Sequence, residues 1–97
     1  MSSEVRSGRA VRIVVRGRVQ GVFFRAATRE QGEHLGLAGW VRNRRDDSVE
    51  AHIQGPAADV DAMVAWCRRG PPSARVDEVV FEAAAVDPAL TRFSIRP

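Results

Sequence analysis

A glycine-flanked loop, GRVQG at Gly17 to Gly21, runs through Val22 into Phe23, Phe24 and Arg25. Where such a turn feeds a helix N-terminus, several backbone N–H groups without partners converge on one spot, and the helix dipole adds positive potential. Arg25, one turn in, brings a planar fork of donors that matches phosphate or carboxylate oxygens. On the residues alone two readings stand: an anion cradle, or an ordinary turn followed by a solvated arginine. The loop lacks the Gly-Lys-Ser/Thr of a nucleotide P-loop, and it is not G-x-G-x-x-G followed by a ribose-binding acid. A second feature is Gly39-Trp40-Val41-Arg42-Asn43. An asparagine at a strand end can donate and accept hydrogen bonds without titrating, although a lone Asn before a hairpin more often satisfies its own turn.

Other reactive side chains read as structural. Cys67 has the spacing of the apolar face of a helix and is expected as a small buried hydrophobe. His34 and His52 are far apart, without the Cys or carboxylate spacing of a zinc site, so no metal site and no cofactor are expected. Trp40 and Trp66 read as packing residues. Arg42, Arg44 and Arg45 make a basic patch flanking Asn43. Such runs are usually solvated surface, though this one is placed to steer an anionic substrate.

The elements that must position these residues follow from periodicity. Val11, Ile13 and Val15 alternate with Arg12 and Arg16, a half-buried strand. Phe24, Ala27, Thr28, Gln31 and Leu35 keep helical spacing, and Gly36 is a natural stop. Gly32 within that helix costs on the order of 1 kcal/mol relative to Ala. Leu37 to Val41 is a second strand. In the third, Val49, Ala51 and Ile53 alternate with Glu50, His52 and Gln54, and Asp46-Asp47 turns the hairpin between them. After Gly55-Pro56, the spacing of Val60, Met63, Val64 and Cys67 predicts a second helix. Asp59 and Asp61 in its first turn and Arg68 and Arg69 in its last suit the helix dipole, and Gly70-Pro71-Pro72 ends it. Val76 to Glu82 is a fourth strand, and Phe93 with Ile95 marks a short last one. Strand, helix, hairpin, helix, strand is the α+β, ferredoxin-like split βαβ order, with two helices on one face of an antiparallel sheet. That fold carries enzymes, RNA binders and regulatory modules, so function has to be read from a site.

Composition sets the outer bounds. The chain has 97 residues, 44% of them hydrophobic and 28% charged, which fits one folded domain and disfavours disorder throughout. A single cysteine forms no internal disulfide, so a cytoplasmic setting is the default. No apolar run approaches the roughly 20 residues of a membrane span, and MSSEVRSGRA has no apolar segment of a secretory signal. Met1 to Arg9 is expected as a flexible tail. Fifteen basic residues against twelve acidic give +3. The pI near 10.9 is high mainly because every basic residue is arginine and no lysine or tyrosine titrates near pH 10. Net charge is therefore weak support for a nucleic-acid partner.

At GRVQGVFFR (Gly17 to Arg25), GWVRN (Gly39 to Asn43) and DDSVE (Asp46 to Glu50) the chain closely resembles the acylphosphatase family. The family patterns are G-x-V-Q-G-V-x-F-R and G-W-V-x-N-x-x-D-G-x-V-E. The likeness continues through Gly70, Pro71, Pro72, Ala74 and Val76 to Phe93-Ser94-Ile95-Arg96, covering one domain from Ala10 to Pro97. It implies hydrolysis of the carboxyl–phosphate anhydride of acyl phosphates, with neither metal nor covalent intermediate. By the same resemblance Arg25 binds the phosphoryl group together with the amides of Val19, Gln20, Gly21, Val22, Phe23 and Phe24, and Asn43 orients the attacking water. The expected partner is a small acyl phosphate, with no nucleic acid and no membrane, and the chain is expected to act as a monomer. One departure is Asp47, where the family pattern has the hairpin glycine. If that turn needs a positive φ, aspartate costs on the order of 1 kcal/mol there.

Two other classes compete with this reading. An RNA-recognition module stacks bases on aromatic residues of its two central strands, and neither VRIVVR nor VEAHIQ contains one. An anion-sensing domain would keep the phosphate cradle without hydrolysis, and an assay on an acyl phosphate separates it from an enzyme.

Overall fold

The computed structural model describes residues 8–97. Its elements run β1 (Gly8–Arg18), α1 (Phe24–His34), β2 (Ala38–Asn43), β3 (Val49–Pro56), α2 (Ala57–Arg69), β4 (Arg75–Ala84) and β5 (Phe93–Ile95). The sheet order is β4-β1-β3-β2-β5. The alternation of Val11, Ile13 and Val15 puts all three on the helix-covered side, where they are buried with Val41, Val49, Ala51 and Ile53. From the other layer come Phe24 of α1 and Val60, Met63, Val64 and Cys67 of α2. Two helices thus cover one face of a five-stranded sheet, the α+β, ferredoxin-like arrangement that the element order implies.

The structure corrects several details. The sheet is mixed, not wholly antiparallel: β5 lies parallel to β2, with Gly39 opposite Phe93 and Val41 opposite Ile95. After β4 at the far edge the chain crosses the sheet, held on the way by the Gln54 amide, which donates to the Asp87 carbonyl and accepts from the Asp87 N–H. It therefore enters β5 in the same direction as β2. Gly8 and Arg9, expected in the tail, pair with Pro56 and Gly55 as the start of β1, while the rest of the expected tail lies outside the described residues. The strands also run longer than their apolar alternation, because ladder hydrogen bonding continues past the last buried side chain. Gly32 has a packing reason: a Cβ there would sit 2.5 Å from a Phe93 ring carbon. The glycine lets α1 settle directly on the Phe93 ring.

The uncovered face of the sheet is polar but highly connected. Glu50 is buried at 3% exposure, and its carboxylate accepts from Arg12 and from Arg42, the latter at 2.7 Å. Burial alone would raise the Glu50 carboxyl, but the hydrogen bonds and charges of Arg42 and Arg12 outweigh it and hold it below its ordinary value of 4.5. Trp40 stacks on His52, and the Arg96 guanidinium lies 4.8 Å from the Trp40 ring centre.

Candidate active site

The loop after β1 is shaped by glycines at the points where other residues would not fit. Gly17 has φ 135° where the β1–β4 register shifts. A Cβ there would fall 2.2 Å from the Arg75 carbonyl oxygen, so only glycine lets β4 close against the loop's base. Gly21 at φ 73° and Phe23 at φ 63° then turn the backbone left-handed on either side of Val22. Helix α1 begins at Phe24 with no side-chain cap, and its first bond runs from the Ala27 N–H to the Phe23 carbonyl. Consequently the backbone N–H groups of Gly21 through Ala26 donate to no acceptor among the described residues. No acidic residue stands in the first turn of α1 to neutralise the positive end of its dipole.

Two side chains fix this loop to its neighbours. The Gln20 Nε2 donates to the carbonyls of both Arg44 and Ser48, each at 2.9 Å, across the mouth of the β2–β3 hairpin. The Ser73 Oγ donates to the Val22 carbonyl at 2.8 Å. Meanwhile Val19 is buried in the core, anchoring the loop from beneath.

Asn43 reaches the same place from β2. It pairs with Val49 at the last position of the β2–β3 ladder, and its parity with Val41 and Gly39 puts it on the helix-covered face. A cleft of about 300 Å³ results, lined by Arg25, Asn43 and the loop residues Val19, Gly21, Phe23 and Phe24. Two further residues line it to which the sequence reading gave no part in the site: Ala26, which extends the run of N–H groups without acceptors among the described residues, and Ile95 of β5. The side chains of Gln20 and Val22 do not line it. Asn43 Oδ1 is buried and is the one such side-chain polar atom without a hydrogen-bond partner among the described residues. Arg25 makes no ion pair with any of them.

The neighbouring arginines are less free than their run suggests. Arg42 is paired with Glu50 at 2.7 Å and Arg44 with Asp46 at 3.6 Å, leaving only Arg45 of the three without an ion-pair partner among the described residues. Hydrogen bonds from the Ser48 hydroxyl and N–H, helped by Arg44 and Arg16, lower the Asp46 carboxyl to about 2. That network shapes the hairpin turn and puts Asp47 at φ 71°, the left-handed conformation its glycine counterpart would adopt freely. Burial pushes the Cys67 thiol up to about 12, which removes it as a nucleophile. Among the described residues no group of three His, Cys, Asp or Glu side chains converges to hold a metal ion.

A family model for acylphosphatase matches residues 11–95. The chain belongs to the acylphosphatase family. It is 50% identical over 91 residues to an acylphosphatase of Rubrobacter xylanophilus, an alignment covering 94% of this chain and 83% of that relative. Its fold superposes on the structure of an acylphosphatase from Coxiella burnetii with a TM-score of 0.91 at 33% identity, covering 99% and 100% of the two chains. For the acylphosphatase of Bacillus subtilis the values are 0.86 and 35%, covering 91% of this chain and 98% of that one. The chain is thus an enzyme of the acylphosphatase type, and no helix of the described residues is long and apolar enough to cross a membrane.

Proposed function

We propose that the protein hydrolyses acyl phosphates to a carboxylate and inorganic phosphate, holding the phosphoryl group on the amides of the loop and on Arg25. The carrying observation is a single cleft that joins N–H groups, an arginine and an asparagine oxygen that have, among the described residues, no acceptor, no counter-ion and no donor respectively. The first two suit a phosphoryl group, whose charge is spread over its equatorial oxygens. The last suits a water, because a buried acceptor without a partner is costly until something donates to it.

In this reading Asn43 Oδ1 accepts from the attacking water and aims its lone pair at phosphorus. The water oxygen bonds to phosphorus as the bond from phosphorus to the acyl oxygen breaks, and the carboxylate leaves with that electron pair. A phosphoryl oxygen of the substrate takes the water's proton, since among the described residues no His, Asp or Glu lines the cleft that holds Arg25 and Asn43. A carboxylate is a good leaving group, so positioning and charge stabilisation are what the protein must contribute.

The test is turnover of acetyl phosphate by the purified chain with a chelator present, together with the inhibition constant of inorganic phosphate. The wild type should hydrolyse acetyl phosphate at a rate that chelation leaves unchanged. Asn43→Ala should lose about 10²–10³-fold in kcat, the loss typical of one oriented polar group in a transition state, with phosphate affinity nearly retained. Asn43→Asp should be at least as damaging, because its charge repels the incoming anion. If phosphate affinity collapses while kcat holds, Asn43 is a binding residue and something else positions the water. Phosphate binding without turnover by the wild type would make the domain an anion sensor.

A further inference from the structure

We propose that Ser73 is a positioning residue of the anion cradle, whose hydroxyl holds the Val22–Phe23 peptide with its carbonyl turned out of the cleft and its N–H turned in. The inference rests on the hydrolytic reading above and adds to it a residue that acts through the backbone. It begins from an outlier. Phe23 has φ 63° and ψ 22°, a left-handed conformation that is costly for a bulky side chain. Its ring gains no compensating burial, since the residue is 82% exposed. Strain of this kind persists only where the surroundings over-determine it.

Both peptides that flank Phe23 are held from outside the residue. On the C-terminal side, the Phe23 carbonyl accepts from the Ala27 N–H at 3.0 Å as α1 begins. On the N-terminal side, the Val22 carbonyl accepts from the Ser73 Oγ. Val22 itself packs against the core, which fixes the residue before that peptide. Ser73 is presented on a stiff support. Pro71 and Pro72 restrict the backbone ahead of it, and the Ala74 N–H closes the turn by donating to the Pro71 carbonyl at 2.9 Å. Gly70 seats that turn. A Cβ there would fall 2.8 Å from a Phe24 ring carbon, so the end of α2 lies directly against the residue after Phe23.

Direction gives the Ser73 bond its consequence. The carbonyl and the N–H of a trans peptide point opposite ways. Ser73 does not line the cleft, whereas Phe23 does. A carbonyl drawn toward Ser73 leaves the Phe23 N–H on the cleft side, in line with the other amides of the cradle. Turning this peptide over would carry φ of Phe23 by about 180°, into the negative range that L-residues prefer, and would relieve the strain. It would also put a carbonyl oxygen where an anion needs a donor. The strain and one hydrogen bond are of the same order, so the Ser73 bond decides which way the peptide faces.

The experiment measures kcat and KM for acetyl phosphate, the affinity of inorganic phosphate by calorimetry, and the denaturation midpoint. The variants are Ser73→Ala, Ser73→Thr, Phe23→Gly and the double variant Ser73→Ala with Phe23→Gly. Ser73→Ala should lower phosphate affinity and kcat/KM by about 5- to 10-fold, the share of competent peptide lost once the strain is unopposed. Ser73→Thr keeps the hydroxyl at an exposed position and should restore both. Glycine holds a left-handed φ freely, so in the Phe23→Gly background the loss of the Ser73 hydroxyl should lower them no more than about 2-fold. Wild-type turnover with a phosphate affinity that Ser73→Ala leaves unchanged, whatever happens to the midpoint, would overturn the positioning role and leave the hydrolytic reading standing. A Ser73→Ala loss of equal size in both backgrounds would also overturn it, since the residue would then act otherwise than through the Phe23 peptide. The expected pattern of phosphate affinities in a chain that hydrolyses no acetyl phosphate would overturn the hydrolytic reading alone. A wild type that binds no phosphate would overturn both.

Discussion

The guanidinium of Arg25 has no carboxylate to answer to among the described residues, so its charge and its fork of donors are both available to a ligand. A lysine would restore the charge but not the two parallel hydrogen bonds. Arg25→Lys is therefore expected to lower kcat/KM for acetyl phosphate by about 10²-fold or more and to weaken inhibition by phosphate, since the fork serves bound phosphate and transition state alike. A lysine variant with near-normal turnover would remove Arg25 from the phosphoryl site. Asp47 tests the opposite kind of residue, one placed by the backbone and not by chemistry. At φ 71° it carries left-handed strain that Gly would not. Asp47→Gly should raise stability by a few tenths to about 1 kcal/mol, the strain relief exceeding the entropy that Gly returns to the unfolded chain. The denaturation midpoint measures it, and a fall would mean that Asp47 makes the turn in a way glycine cannot reproduce.

Among the elements, the loop and the hairpin matter as a pair, and Gln20 joins them. Its amide donates to Arg44 and Ser48, the carbonyls flanking the turn just beyond Asn43. Gln20→Ala should leave those carbonyls to solvent and let the loop drift relative to Asn43. We expect kcat on acetyl phosphate to fall about 10-fold, since small misplacements in a positioned site are expensive, with a stability loss of about 1 kcal/mol. Unchanged kcat with lowered stability would assign Gln20 to the fold alone. Much of this level was legible beforehand. The glycine spacing placed the turn, the period of 3.6 placed α1 behind it, and the motif order placed Arg25 and Asn43 on elements that do converge. The Gln20 clamp was not legible, because its acceptors lie 24 and 28 residues away and are backbone carbonyls, which carry no residue identity. Nor was the Phe93 contact that makes Gly32 necessary, or the direction of β5. Three residues carry too little pattern to show which way a strand runs.

For the whole molecule, acid is the informative stress. Glu50 ties together β1, β3 and β2 through Arg12 and Arg42. Its carboxyl is held below 4.5, so the folded state binds a proton there less readily than the unfolded chain does. Stability from this group is complete above that value and drains away as pH falls through the lower folded-state value. The melting temperature should accordingly drop in acid, and Glu50→Gln should flatten that slope. The same variant should cost about 1–3 kcal/mol at neutral pH, because two guanidinium groups lose their charged partner over a buried position. An unaltered acid slope would show that other carboxylates set it. The place of β5 has a consequence of another kind. Chains are made from the N-terminus onward, and domains fold as units. Gly21, Arg25 and Asn43 are all synthesised before β5, yet α1 rests on Phe93 and the cleft is bounded by Ile95, both of that last-made strand. A nascent chain therefore carries every residue proposed to handle phosphate well before it has the strand that seats them, and reactivity has to wait until β5 has been made and docked beside β2.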